Sequence, residues 1–131
     1  MFTVADIEAA GELVYETMGG PTPAYAWPLL ARRTGCEVWV KHENHTPIGA
    51  FKVRGGLVYM DHLVNSGEDV AGVISATRGN HGQSIALAAG KAGLRAVIYV
   101  PEGNSIEKNA AMEAFGAELV VHGRDFDEAA A

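Results

Sequence analysis

Cysteine is nearly absent. Cys36 is the only one in 131 residues, which excludes an intrachain disulfide framework and fits a reducing, cytoplasmic setting. No window reaches the ~18 apolar residues that a membrane helix needs. Asp6 and Glu8 near the N-terminus, with no basic run, exclude a secretory leader. Basic charge is scarce: 10 Lys and Arg stand against 16 Asp and Glu, a net charge of −6, and no segment concentrates the cations. Nucleic acid and anionic membrane are therefore not expected partners. Internal repeats and low-complexity linkers are missing. So are three site signatures. Gly79 and Gly82 lack the third glycine of G-x-G-x-x-G, and neither G-x-x-x-x-G-K-[ST] nor G-x-S-x-G occurs. His42-x-x-His45 has no further ligand at a supporting spacing, so no metal is expected.

What is present suits one folded unit. The chain is 48% hydrophobic and 20% charged, enough to build a core at the length of an ordinary domain. Val4 to Tyr15 reads as a helix with Ile7, Ala10, Leu13 and Val14 on one side, ended by Gly19-Gly20-Pro21. Pro21, Pro23 and Pro28 keep the next stretch out of regular helix. Leu29 to Thr34 reads as a helical turn. These elements, residues 1–35, form an N-terminal helix and proline-rich segment.

From residue 36 to 131 an alternation begins. Strands are expected at Glu37–Lys41, Ala71–Ser75, Arg95–Val100 and Glu118–Val121. Helices are expected at Phe51–Asn65, Gly82–Ala92 and Ser105–Phe115, with Ser105 as an N-cap and Asp125 capping a last helix. Apolar, β-branched strands with short links to helices imply an α/β fold: a twisted, mostly parallel sheet with helices on both faces. Ligands bind such sheets beyond the carboxyl ends of the strands, which is where Thr77–Gly82 falls.

Two stretches carry the chemistry. Gly49-Ala50-Phe51-Lys52-Val53-Arg54-Gly55-Gly56 sets one lysine among small and apolar residues. Such surroundings favour the neutral amine, which can attack an aldehyde and form a Schiff base. Ser75-Ala76-Thr77-Arg78-Gly79-Asn80-His81-Gly82-Gln83 reads as a polar turn between strand and helix, which aims backbone N–H groups at an anion. A reactive lysine with an anion cradle suits pyridoxal phosphate chemistry on an amino acid.

Pro47-Ile48-Gly49-Ala50-Phe51-Lys52-Val53-Arg54-Gly55 resembles the P-T-G-S-F-K-x-R-G motif of fold-type II pyridoxal phosphate enzymes, in the serine/threonine dehydratase group. Thr77-Arg78-Gly79-Asn80-His81-Gly82-Gln83 resembles that group's S-A-G-N-H-A-Q loop. The likeness continues through Pro101-Glu102-Gly103-Asn104, Lys108 and Gly116-Ala117-Glu118, and runs from about Pro21 to the last residue. It implies a tryptophan synthase β-like fold and a dehydratase, or ammonia-lyase, that turns threonine or serine into a 2-oxo acid and ammonia. Lys52 would hold the cofactor and return as base for the α-proton. Asn80 would bond the cofactor's 3′ oxygen, and Phe51 would wall its ring. Thr77, Arg78, Gly79, Asn80 and His81 would hold the substrate carboxylate. The full-length protein is expected as a homo-oligomer.

Ala50, Arg78 and Ile48 depart from the motif, where the group has Ser, a small residue and Thr. The group's glycine-rich phosphate loop and its partner for the pyridine nitrogen lie downstream, outside these residues. Ala129-Ala130-Ala131 also ends the chain on an opening helix, so an N-terminal portion, inactive alone, is expected. A racemase, a β-replacement synthase or a related lyase is the alternative within the fold; a non-catalytic ligand-binding or assembly module is the alternative outside it. The remaining features have plainer readings. Arg54 forms a structural ion pair, Trp39 and Cys36 sit in the core, Tyr25 and Trp27 pack, and Leu57, Tyr59 and Met60 form a helix face.

Overall fold

A computed structural model of the chain describes residues 2–131. Helix α1 spans Val4–Met18, three residues beyond the expected end. The Thr3 side chain accepts the Asp6 N–H while the Asp6 carboxylate accepts the Thr3 N–H, so both ends of this first-turn box are satisfied. The proline-rich stretch holds strand β1, Ala24–Ala26, and is followed by helix α2, Pro28–Thr34, and strand β2, Trp39–Lys41. β1 and β2 pair antiparallel, with Ala24 opposite Lys41 and Ala26 opposite Trp39. This corrects the reading of Glu37–Lys41 as the first strand of the alternation: β2 pairs with β1 and not with the parallel sheet.

The ribbon is uncovered. Trp39 is 64% exposed, against its expected place in the core, and Cys36, Tyr25 and Trp27 are exposed as well. Apolar alternation marks which residues share a face. It does not say whether these residues also supply a layer to cover that face.

After a short 3-10 turn at Glu43–His45 come helix α3, Val53–Asn65, strand β3, Gly72–Ala76, and helix α4, Asn80–Lys91. Strand β4, Arg95–Val100, helix α5, Ile106–Ala114, strand β5, Glu118–Val121, and helix α6, Phe126–Ala130, complete the chain. β3, β4 and β5 form one parallel sheet in that order, with Gly72 beside Arg95 and Val97 beside Glu118. Ser105 and Asp125 cap their helices as expected, accepting the N–H groups of Lys108 at 3.3 Å and Glu128 at 3.0 Å.

Helix α4 packs on β3 and β4, α5 on β5, and α3 alongside α4. Ala96, Ile98 and Val100 point into this layer and are buried. The core continues through Val53, Leu57 and Met60 of α3 and the alanines of α4. Among the described residues the opposite face receives only α6, against β3 and β4, with Ala129 buried beneath it. Helices therefore lie on both faces but cover them unequally, and Ile74 is left 75% exposed. Among the described residues no helix is long and apolar enough to cross a membrane.

Candidate active site

The loop before α3 is held by its own side chains. Thr46 Oγ1 donates to the Ala50 carbonyl at 2.8 Å and accepts the Ala50 N–H at 2.9 Å. The Gly49 N–H reaches the Thr46 carbonyl at 2.9 Å. Gly49 takes φ +66°, a conformation that side chains rarely tolerate. Ile48 and Ala50 are buried, so the two positions that lack the motif's hydroxyls serve packing here. Lys52 is the N-cap residue of α3, so the helix starts two residues later than expected. Its carbonyl accepts the Gly56 N–H at 3.3 Å and the Ser84 hydroxyl at 2.7 Å.

Two residues on, Arg54 holds Glu43 through two bonds, Nε to Oε2 at 2.8 Å and an Nη to Oε1 at 2.9 Å. The buried Thr22 hydroxyl donates to Glu43 Oε1 at 2.6 Å, and Lys41 Nζ donates to the Thr22 carbonyl at 3.2 Å. Arg54's hydrogen bonds, aided by Thr22 and Lys41, hold the Glu43 carboxyl down at about 2 against its partial burial. Arg54 is thus the structural ion pair that was expected. It fastens α3 to the N-terminal segment.

The second turn is built from behind. Thr77 follows β3, is buried, and bonds the Tyr99 carbonyl through its N–H at 3.0 Å. Its hydroxyl oxygen accepts the Gly79 N–H at 3.1 Å. Asn80, His81 and Gly82 open α4, and the N–H groups of a helix's first turn have no partner within the helix. No side chain caps them. A Cβ on Gly82 would overlap Met112 Sδ and stand 2.5 Å from Thr77 Cγ2; one on Gly79 would stand 2.8 Å from Lys108 Cδ and Nζ. Lys108 of α5 therefore lies across the turn. Arg78 is exposed and, among the described residues, forms no ion pair.

Beside α3, β3 and the start of α4 lies a cleft of about 630 Å³, walled by Lys52, Tyr59, Met60, Leu63, Ser75 and His81 among others. Lys52 is exposed within it, with Nζ 5.7 Å from the centre of the exposed Phe51 ring. This corrects the expectation of a lysine desolvated by small and apolar neighbours: Ala50 and Val53 turn into the core, Phe51 is itself exposed, and the amine is left to solvent. His81 is held below its ordinary pKa, first by partial burial and then by the charge of Lys52. Of the residues expected at the site, Lys52 and His81 wall the cleft together, whereas Phe51, Thr77, Arg78, Gly79 and Asn80 do not line it. Ser84 and Lys108 were not anticipated. Ser84 stands four residues after Asn80, on the same helical face, and that spacing was legible. Nothing local in the sequence indicates that Lys108 reaches the turn.

Comparison with known proteins adds the context. The family described as pyridoxal-phosphate dependent enzyme matches residues 15–131. The biosynthetic L-threonine dehydratase IlvA of Haemophilus influenzae is 38% identical over 121 residues, 92% of this chain and 23% of that protein. The solved structure of a pyridoxal 5'-phosphate-dependent aspartate racemase matches with a TM-score of 0.84 at 33% identity, covering 92% of this chain and 38% of that one. The crystal structure of a threonine deaminase from T.th. matches with a TM-score of 0.81 at 30% identity, covering 97% of this chain and 39% of the other. The chain spans less than a third of the length of the curated relatives it matches.

Proposed function

This chain belongs to the pyridoxal-phosphate dependent enzyme family, and from that premise we propose that it forms the N-terminal part of a lyase that removes ammonia from threonine, or from serine, to leave a 2-oxo acid. One observation supports this reading above the others: Lys52 and His81, the latter in the uncapped first turn of α4, wall one cleft. The residues present fit the cofactor. A primary amine meets an aldehyde, free N–H groups meet the substrate's carboxylate, and Gly82 keeps the turn close to Thr77 and Met112 because a Cβ would collide with them.

Pyridoxal phosphate, when bound, supplies the electron sink that makes an amino acid's α-proton acidic. Lys52 would hold it covalently and, once released, its Nζ would take that proton. Asn80 would bond the cofactor's 3′ oxygen, and Phe51 would flank its ring. The N–H groups of Gly79 to His81, shaped by Thr77 and joined by Arg78, would hold the substrate carboxylate. His81, kept neutral by burial and by Lys52, suits a hydrogen-bonding role near that carboxylate rather than a charged one.

The likeness to an aspartate racemase, at an identity similar to that of the threonine deaminase, favours a racemase as the second reading. A product assay on the whole protein separates them. With L-threonine, the lyase reading expects 2-oxobutanoate and ammonia in equal amounts, both lost in Lys52→Ala. Inversion at the α-carbon of an amino acid with no keto acid formed would replace the lyase by the racemase.

A further inference from the structure

The contacts that hold the lysine loop divide into two kinds. The Thr46–Ala50 pair and the Arg54–Glu43 pair tie residues near Lys52 to one another and, through Thr22, to the N-terminal segment. Neither reaches α4. Between residues 46–56 and α4, among the described residues, there is one hydrogen bond: Ser84 Oγ donates to the Lys52 carbonyl at 2.7 Å.

That bond sits where it governs the lysine. An N-cap carbonyl already accepts the first helical hydrogen bond. Here that bond is long, 3.3 Å from the Gly56 N–H, and Ser84 supplies the shorter one. Ser84 is 1% exposed, so no water takes its place readily. The helices are too close to shift: a Cβ on Gly56 would overlap Ser84 Oγ and stand 3.0 Å from the Ser84 carbonyl oxygen. Ser84 also follows Asn80 by four residues, so one face of α4 carries both the group expected to touch the cofactor and the group that holds the lysine's backbone.

We propose that Ser84 is a positioning residue for Lys52: its hydroxyl sets where the lysine's backbone stands relative to the first turn of α4. This rests on the reading of Lys52 as the cofactor-holding residue. Ser84 touches no reacting atom and acts through the Lys52 carbonyl.

The test uses the whole protein stripped of cofactor. Pyridoxal phosphate is added, samples are quenched with borohydride over time, and the adduct at Lys52 is counted by peptide mass mapping. Ser84→Ala is expected to label Lys52 about three- to tenfold more slowly, the effect of losing one ordinary hydrogen bond. Ser84→Cys keeps a weaker donor and is expected to fall between. Ala88→Gly loosens the same helix at a buried position that has no bond to Lys52. It is expected to lower the melting temperature while leaving the labelling rate unchanged. Equal slowing in Ala88→Gly and Ser84→Ala would mean that packing alone is responsible and would overturn the proposal. An unchanged rate in Ser84→Ala would overturn it too. No adduct at Lys52 in the unaltered protein would remove the cofactor reading and this inference with it.

Discussion

The loop that delivers Lys52 and the turn that carries His81 each send one of these residues to the same cleft, yet they are held in opposite ways. The lysine loop is tied by side chains: Thr46 to Ala50, Arg54 to Glu43, and Ser84 to the Lys52 carbonyl. Among the described residues the α4 turn has one such bond, Thr77 Oγ1 to the Gly79 N–H, and otherwise depends on close packing at Gly82, where a Cβ would meet Met112 and Thr77. Each manner suits the task proposed for it. A residue that carries a covalent load must keep its backbone still while its side chain moves. A turn that receives an anion must present its N–H groups bare, so nothing on its front can cap them.

The contrast can be broken most severely at Gly82. A methyl group there would meet Met112 Sδ and Thr77 Cγ2 of this chain in a buried position, so Gly82→Ala, although the resembled group carries Ala here, is expected to cost about 2 kcal/mol. Denaturant unfolding measures it; a variant as stable as the parent would show that the turn has slack.

The lysine loop is expected to yield next, through its ion pair. Glu43→Gln leaves Arg54 without its charged partner, at a cost of about 1–3 kcal/mol near neutral pH. Because Glu43 is held below its ordinary 4.5, at about 2, its stabilisation is complete above 4.5 and fades as pH falls towards 2. The parent should therefore lose more stability than Glu43→Gln between pH 5 and about pH 2.5. Parallel losses would remove the pair from the account.

A finer test reads the contact between the two turns. His81 should titrate below its ordinary 6.5, as followed by its ring proton resonances. Lys52→Ala should move it only part of the way back, because burial is the larger cause. Its neutral form is the one favoured in the folded state, so His81 supports folding above 6.5 and withdraws that support as pH falls through its lowered value. Complete return to the ordinary value would make the charge of Lys52, not burial, the main cause.

The smallest effect is expected at Gly55, in the first turn of α3, where a Cβ meets nothing within 4 Å. Gly55→Ala should be neutral or stabilise by up to about 1 kcal/mol, by helix propensity alone. Set against Gly82, it separates glycines that the turn requires from one that it tolerates.

Local patterns gave much of this in advance. Arg95–Val100 and Glu118–Val121 form strands with the expected bounds, because a short β-branched run between a helix-ending glycine and a turn has few alternatives. Ser105 and Asp125 cap as their side-chain chemistry directs. The Gly-Ala-Phe-Lys and Arg-Gly-Asn-His stretches could be read as parts of one proposed site because its chemistry needs those residue types in order, and Lys52 and His81 do wall one cleft. What stayed illegible depends on distance through space. β2 has the composition of a sheet strand, but its partner is the proline-flanked β1. Trp39 looks like core and is exposed, since nothing in the described residues covers the ribbon. Lys52 has apolar neighbours in sequence, but Ala50 and Val53 are buried in the core and only the exposed Phe51 stays beside its amine. Lys108 reaches the α4 turn only through the packing of α5 on α4.

The central claim is that Lys52, and no other lysine, holds the cofactor. The whole protein is incubated with pyridoxal phosphate, reduced with borohydride, digested and mapped by mass. One modified peptide, containing Lys52 and lost in Lys52→Ala, is the predicted result. An adduct on Lys41, Lys91 or Lys108 with Lys52 unmodified would contradict it.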